Sequence, residues 1–456
     1  MIIVSHRGPY SFERSDDDTF VARRGAGGIV SALLPLLAGR SDTRWIAAAM
    51  SDDDRAAVKA GVIEGTDIAL TLVPLDPELH RLHYDVVANS VLWFLLHGLF
   101  DRVREPRFDR EFRDAWNAFV SVNDEFAAFI SDEADADEVV LVQDYQLSLV
   151  PAMVRARRDD LRVVHFTHTP FGTPDDIALL PDDIGFQLCR SIASGPAGFH
   201  TERWASAFRA SLRLSAGGFS GDARTFVAPL GPDATALEQV ATSAAGKDAL
   251  RGLDDIVGDR LVILRNDRIE PSKNIVRGFL AYDRLLEARP GLRGRVVFVA
   301  MVYPSRQHLD AYRAYAREVE EVAARVNERW STRDWTPIVL DDRDDFARSV
   351  AGMLRYDVLF VNPLRDGLNL VAKEGPVCNR RDGVLCLSPE AGAFVELEPA
   401  VIATHPYDIE QAAGALDEAL SMPLDERGGR AKRLRALATA RTPGMWLDDL
   451  VRHAGE

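Results

Sequence analysis

The chain has 456 residues, 54 Lys and Arg against 70 Asp and Glu, and a formal net charge of -16 at pH 7. That length exceeds one ordinary core and predicts two domains of about 150 to 230 residues each. The acidic balance argues against nonspecific binding to nucleic acid or an anionic membrane surface, so an anionic ligand must be held by a local cluster of cations. A hydrophobic share of 47% with 27% charged residues is that of a soluble globular protein, and no apolar run reaches the ~18 residues a membrane span needs. The start "MIIVSHRGPY" carries neither a basic segment followed by a long apolar stretch nor a small-residue cleavage site, so the expectation is a cytoplasmic protein. Cys189, Cys378 and Cys386 are odd in number, lack C-x-x-C spacing, and read as small buried apolar side chains.

Short apolar runs alternate with amphipathic stretches along the chain, the pattern of an α/β protein with parallel sheets covered by helices on both faces. In the first half the predicted strands are "MIIVS", "RWIAAA", "DIALTLV", "EVVLVQ", "LRVVHFT" and "TFVAPL", with helices over 109 to 131 and 201 to 213 between them. The turn "PLGPDATALEQ" breaks the alternation, which restarts with "RLVILR", "RVVFVAMV", "PIVL", "DVLFVN" and "GVLCLS". The boundary falls near residue 232. The expected organisation is therefore residues 1–232, residues 233–440 and a final helix over 441–456 that packs back on the first domain. Two doubly wound domains would face each other across a cleft and place functional residues just after their strands. The acidic run in "SDDDTF" reads as a solvated loop.

Two constellations carry chemistry. In "NDRIEPSKNIVRGF", Arg268 follows a strand, Pro271 suits an early helical position and Ser272 is a plausible cap. Arg268 and Lys273 would then clamp a diphosphate at the positive end of a helix, although both are also ordinary surface cations when taken alone. In "VNPLRDGLNLVAKE", residues 361 to 374, Gly367 relieves the turn and the amides of Leu368, Asn369 and Leu370 would open a helix toward an anion. Asp366 is a hydroxyl acceptor at that mouth, and Glu374 lies on a face that would reach ribose hydroxyls. A carboxylate near a helix start is often only a favourable dipole partner, the plainer reading of Asp366.

The pair "RIEPSKN" and "NPLRDGLNLVAKE", with "SHRGP", "GAGGIVSAL", "NSVLW", "VQDYQLSLVP", "HFTHTPF" and "YPSRQ" in the same order, resembles the retaining glycosyltransferases of the trehalose-6-phosphate synthase family over nearly the whole chain. The resemblance implies the GT-B fold, two Rossmann-like domains. It implies that Arg268, Lys273 and the amides after Asp366 hold the donor's diphosphate, that Glu374 holds the ribose, and that His168 and Asp366 grip the donor glucose. Gly27 and Gly28 would let a loop close over it. Arg7, Tyr84, Trp93 and Arg306 would surround glucose-6-phosphate, with Asp144 near the reacting centre. Each has a plainer reading too: Trp93 as helix core, His168 as a satisfied strand-end histidine. Where the family's best-known bacterial pattern has a tryptophan near the acceptor, this chain has small residues around Ala48.

The loop "VLDDRDDFARS" (339 to 349) is expected at the nucleobase, where a carboxylate would accept two hydrogen bonds from guanine N1 and its amino group. It is similar to the loop of actinobacterial family members that take GDP-glucose, and it tips the expected donor toward GDP-glucose over UDP-glucose. The plainer reading is capping of a helix start. The implied reaction keeps the anomeric configuration by front-face substitution, with the leaving diphosphate oxygen helping to accept the incoming hydroxyl's proton. Two fixed cations would make a metal unnecessary, and no cofactor is called for. The expected partners are the nucleotide sugar and glucose-6-phosphate, with no nucleic acid and no membrane; a homo-oligomer is left open. Two alternatives remain at this point: a pseudo-glycosyltransferase coupling a nucleotide-cyclitol to an aminocyclitol phosphate, and a non-catalytic sugar-phosphate sensor.

Overall fold

The computed structural model describes residues 1–15, 19–25, 28–215 and 223–455. The acidic run at 16–18 and Gly27 lie outside the described residues. The chain forms two compact units, Met1–Pro229 with Pro443–Glu456, and Leu230–Thr442.

In the first unit the strands are β1 (Ile2–Val4), an antiparallel hairpin of β2 (Tyr10–Arg14) and β3 (Phe20–Arg24), then β4 (Arg44–Ala48), β5 (Ala69–Val73), β6 (Val139–Gln143), β7 (Arg162–Thr167), β8 (Ala197–Phe199) and β9 (Thr225–Val227). All but the hairpin join one parallel sheet in the order β5-β4-β1-β6-β7-β8-β9. The second unit holds β10 (Leu261–Ile269), β11 (Val296–Pro304), β12 (Ile338–Asp341), β13 (Val358–Val361), β14 (Val384–Leu387) and β15 (Ile402–Ala403), in the order β12-β11-β10-β13-β14-β15. Each is a doubly wound α/β unit whose strand order reverses beside its first strand, where such sheets bind ligands at the strand C-termini.

The strands read as unbroken apolar runs because helices cover both faces: every residue of β1, β6, β13 and β14 is buried. One side of the first core gathers Val4, Ile46 and Val142 against Val122, Phe126 and Ile130 of the helix Arg110–Glu133. In the second unit Phe279 and Tyr282 of the helix Ile275–Ala288 pack on Phe298, with Phe298 and Phe360 edge to face. Each such side chain contributes about 1.5–3 kcal/mol of burial. All three cysteines are buried and none forms a disulfide. No helix of the described residues is long and apolar enough to cross a membrane.

Several local expectations are corrected. Strand β10 runs to Ile269, pairing with β11 along its whole length, so Arg268 lies within the strand opposite Tyr303. Pro271–Lys273 is a separate 3-10 turn; Ser272 is buried and makes no cap, and the helix begins at Ile275 after Asn274 in the left-handed region, φ 61°. The helix expected from Leu368 begins at Val371. The β2–β3 hairpin, β8, β15 and an eleven-residue π-helix, Leu82–Leu92, were not among the predicted elements.

Candidate active site

At the reversal point of the second sheet, β13 pairs with β10 only at Ile263 and Leu264, so the two strands part beyond Arg265. Charged side chains fill the gap. Arg265 is fully buried; it donates to Asp267 Oδ2 at 3.0 Å, to the Lys273 carbonyl at 2.8 Å and to Asn362 Oδ1. The donor to the Lys273 carbonyl fixes the 3-10 turn, and the Lys273 ammonium lies 2.6 Å from Asp366 Oδ2 and 3.9 Å from Asp267 Oδ1. Burial acts to lower the Lys273 pKa, but Asp366, Asp267 and Glu270 outweigh it and raise it, so the ammonium stays charged. Burial pushes the Asp267 carboxyl up against the opposing pull of Arg265 and Lys273.

Asp366 is held by its backbone N–H on the Glu390 carbonyl (3.0 Å), while Gly392 N–H donates to the Asp366 carbonyl (3.1 Å) and Ala393 N–H to that of Leu368 (2.8 Å). Asn369, in the left-handed region at φ 72°, donates Nδ2–H to Asp366 Oδ2 at 3.1 Å and accepts the Ala372 N–H at 3.2 Å, which starts the helix Val371–Cys378. Leu370 is its N-cap, so the loop delivers a helix N-terminus beside the Lys273–Asp366 pair. Glu374, in its first turn, is half-buried, and burial pushes its carboxyl up to about 7. Lys373 is fully buried, its ammonium 2.6 Å from Glu396 and donating to the Leu230 carbonyl at 2.9 Å.

Arg268 is exposed, its Nε 3.3 Å from Glu270 Oε1, and that carboxylate raises the guanidinium pKa. Arg306 belongs to the same group: it lies 3.6 Å from Glu270 Oε1, donates to Tyr312 Oη at 2.5 Å, and has φ 47°. Arg306 and Arg268 thus share the Glu270 carboxylate. At the end of β12, Arg343 and Arg348 both bond Asp341, and Asp345 caps the helix Phe346–Arg355. Asp342 and Asp344 stand exposed beside them.

In the first unit Asp144 follows β6 with φ 67°, a costly conformation for an aspartate, and its Oδ1 accepts the His168 and Thr169 amides at 3.1 and 3.4 Å. His168 follows β7. Its Nε2 lies 2.9 Å from Gln143 Oε1 and its Nδ1 3.2 Å from His200 Nε2. Burial, helped by His200 and His165, holds its pKa well below the ordinary histidine value, so the ring is neutral at pH 7. A carbonyl oxygen only accepts, so in this arrangement Nε2 carries the proton and Nδ1 accepts from His200. Contact with a sugar hydroxyl requires exchanging one of those bonds. Arg7, after β1, is exposed; Tyr84, on the π-helix, is 8% exposed and stacks on His6 at 4.5 Å. Trp93 is 2% exposed and stacks on His97 at 4.2 Å. Gly28 is exposed at the start of the helix Gly28–Leu37.

Sequence reasoning missed Arg265, Asp267, Glu270, Gln143, His200 and Gly392. Glu270 and Asp267 lie inside "NDRIEPSKNIVRGF", and acidic residues interleaved with Arg268 and Lys273 were the available signal. Nothing local marks Gly392, which works through the backbone of a distant loop.

The model of glycosyltransferase family 20 matches residues 1–456. The chain belongs to glycosyltransferase family 20. Among family 20 relatives, a trehalose-6-phosphate synthase of Mycolicibacterium paratuberculosis is 31% identical over 98% of this chain and 93% of its own length. A glucosylglycerol-phosphate synthase of Picosynechococcus is 27% identical over 100% and 97%. The chain spans only 61% and 63% of the length of two other curated relatives it matches. In structure it is similar to an alpha,alpha-trehalose-phosphate synthase (UDP-forming) from Burkholderia xenovorans in complex with glucose-6-phosphate, at TM-score 0.86 and 25% identity over 100% of this chain and 99% of that one. The fold of this family 20 glycosyltransferase is GT-B.

Proposed function

We propose that the chain is an α,α-trehalose-6-phosphate synthase that transfers glucose, with retention, from a nucleoside-diphosphate glucose to glucose-6-phosphate. The observation that carries this reading is the convergence of Lys273, Arg268, Asp366 and a helix N-terminus where the second sheet reverses. Residues 233–440 are the nucleotide-sugar domain in this reading, residues 1–232 the acceptor domain, and 441–456 the returning helix.

The donor's diphosphate displaces Asp366 from Lys273 and draws on Arg268 and the amides of Leu368, Asn369 and Leu370. Asp366, freed of the ammonium, accepts a donor hydroxyl, and Glu374 accepts from the ribose. Gly27 and Gly28 supply the loop that closes on the donor, and His168 offers a sugar hydroxyl a neutral ring. Charge grows on the diphosphate only as the glycosidic bond breaks, so cations and amides placed there stabilise the transition state more than the ground state. A covalent route needs a free carboxylate at the anomeric carbon. Asp267 is engaged with Arg265 and Asp366 is committed to a donor hydroxyl, which supports proton transfer from the incoming hydroxyl to the leaving oxygen instead. The fixed cations do a metal's work, so turnover continues in chelator.

Arg7, Tyr84, Trp93, Asp144 and Arg306 are the acceptor residues in this proposal. For the donor base, the exposed Asp342 and Asp344 at the end of β12 support guanine, whose paired N–H groups match a carboxylate. Incubation with glucose-6-phosphate and GDP-, UDP- or ADP-glucose in turn, with and without chelator, tests the proposal. Mass spectrometry should find a disaccharide phosphate formed fastest from GDP-glucose. Transfer only to glycerol phosphate or aminocyclitol phosphates would contradict it.

A further inference from the structure

Beneath the proposed acceptor residues lies a cluster that the reaction scheme leaves unused. His6 stands between the end of β1 and Arg7, with its Nε2 3.2 Å from His80 Nε2. Its ring stacks on Tyr84 at 4.5 Å and 6° between planes, and on His83 at 5.0 Å. His80, on the short helix Pro77–Arg81, is half-buried and also stacks on Tyr84, at 5.7 Å. His6 Nδ1 is buried without a hydrogen-bond partner. One proton therefore serves the His6–His80 contact. A second proton on His80 would keep that bond, with Nε2–H donating to His6, and add an Nδ1–H donor and a positive charge.

We infer that the His6–His80 pair forms the proton-accepting edge of the acceptor-phosphate pocket, so that binding a phosphate monoester against Arg7 and Tyr84 draws one proton onto His80. This rests on the proposed function, which places that phosphate at Arg7 and Tyr84. The groups around His80 set the direction. Burial lowers its pKa, Asp85 of the π-helix raises it, and Arg55 of the helix Asp52–Ala60 lowers it. From the other elements, His6 and Tyr84 face it directly, and Arg81 of its own helix is bonded to Glu78. On the helix Arg110–Glu133, Glu125 acts toward Asp76 at that helix's start. The free site is thus neutral near pH 7, and an arriving dianion favours the protonated ring. Binding that takes up a proton weakens as pH rises. Phosphate monoesters have their second pKa near about 6, so above pH 6.5 the titration reports the protein.

Titration of the full chain with glucose-6-phosphate by calorimetry, in buffers of different ionisation enthalpy, reads the proton directly. Wild-type protein should take up close to one proton at pH 7, with the KM for glucose-6-phosphate rising about tenfold from pH 6.5 to 8.5. His80→Gln should abolish the uptake and flatten the KM profile while kcat changes little; His6→Asn should reduce both. Binding without proton uptake in the wild type, or uptake unchanged in His80→Gln, overturns this inference alone. Absence of any glucose-6-phosphate binding overturns the proposed function with it.

Discussion

Arg265 shows how much of the donor side rests on one buried ion pair. Its guanidinium neutralises Asp267 and ties down the Lys273 carbonyl, and removing it leaves a carboxylate only 7% exposed with no cation nearer than the Lys273 ammonium at 3.9 Å. Arg265→Met should destabilise the protein by about 3–5 kcal/mol in urea unfolding; a loss under about 1 kcal/mol would contradict the role given to the pair. Glu374 gives a pH signature. Its folded pKa, about 7, is raised above the ordinary 4.5, so its stability contribution is full below pH 4.5 and is lost as pH rises through 7. Glu374→Gln should therefore gain stability relative to wild type between pH 5 and pH 8, read as a growing difference in Tm. A constant difference would show that Glu374 titrates normally. At this scale the sequence displayed Arg268, Lys273, Asp366 and Glu374, because their spacing to apolar runs is local. Arg265 reads as one more apolar-strand residue until the divergence of β10 and β13 exposes what it holds.

Among the elements, the loop before the helix Val371–Cys378 is shaped by a second loop more than twenty residues away. A Cβ on Gly392 would sit 2.0 Å from the Gly367 carbonyl oxygen, so only glycine lets the two backbones meet there. Gly392→Ala should push the Asp366 loop outward at a cost of about 1–3 kcal/mol, and raise the donor KM by about tenfold or more with a smaller effect on the acceptor KM. An unchanged donor KM would separate this brace from function. Strands were readable where apolar residues ran together between turn signals, as in "VVLV" of β6 and "VLFV" of β13. β8 was not, because "PAGFH" carries Gly198 where a side chain would collide with Phe166 and Phe226, and its neighbours supply the packing. The π-helix Leu82–Leu92 escaped for another reason: its spacing follows neither a 3.6-residue nor a 2-residue period. It nonetheless carries His83 and Tyr84.

For the molecule as a whole, the helix Pro443–Ala454 belongs to the first unit although the entire second unit precedes it in the chain. Trp446 is fully buried, 5.2 Å edge-on to Phe166 and 5.6 Å from His168. Trp446→Ala should cost about 3–5 kcal/mol, and a shift of Tm below a degree would place that helix outside the first unit's core. The two doubly wound sheets were legible because both alternate apolar runs with helical stretches. The order of strands within each sheet was not, since periodicity carries no neighbour information. In the proposed reaction two cations receive the charge of the departing diphosphate. The direct measurement is the kcat of Arg268→Ala and Lys273→Ala with GDP-glucose and glucose-6-phosphate. Each should fall about a hundredfold or more, as for a lost oxyanion donor, with the exposed Arg268→Ala keeping a Tm near the wild-type value, and wild-type turnover in both variants would contradict it.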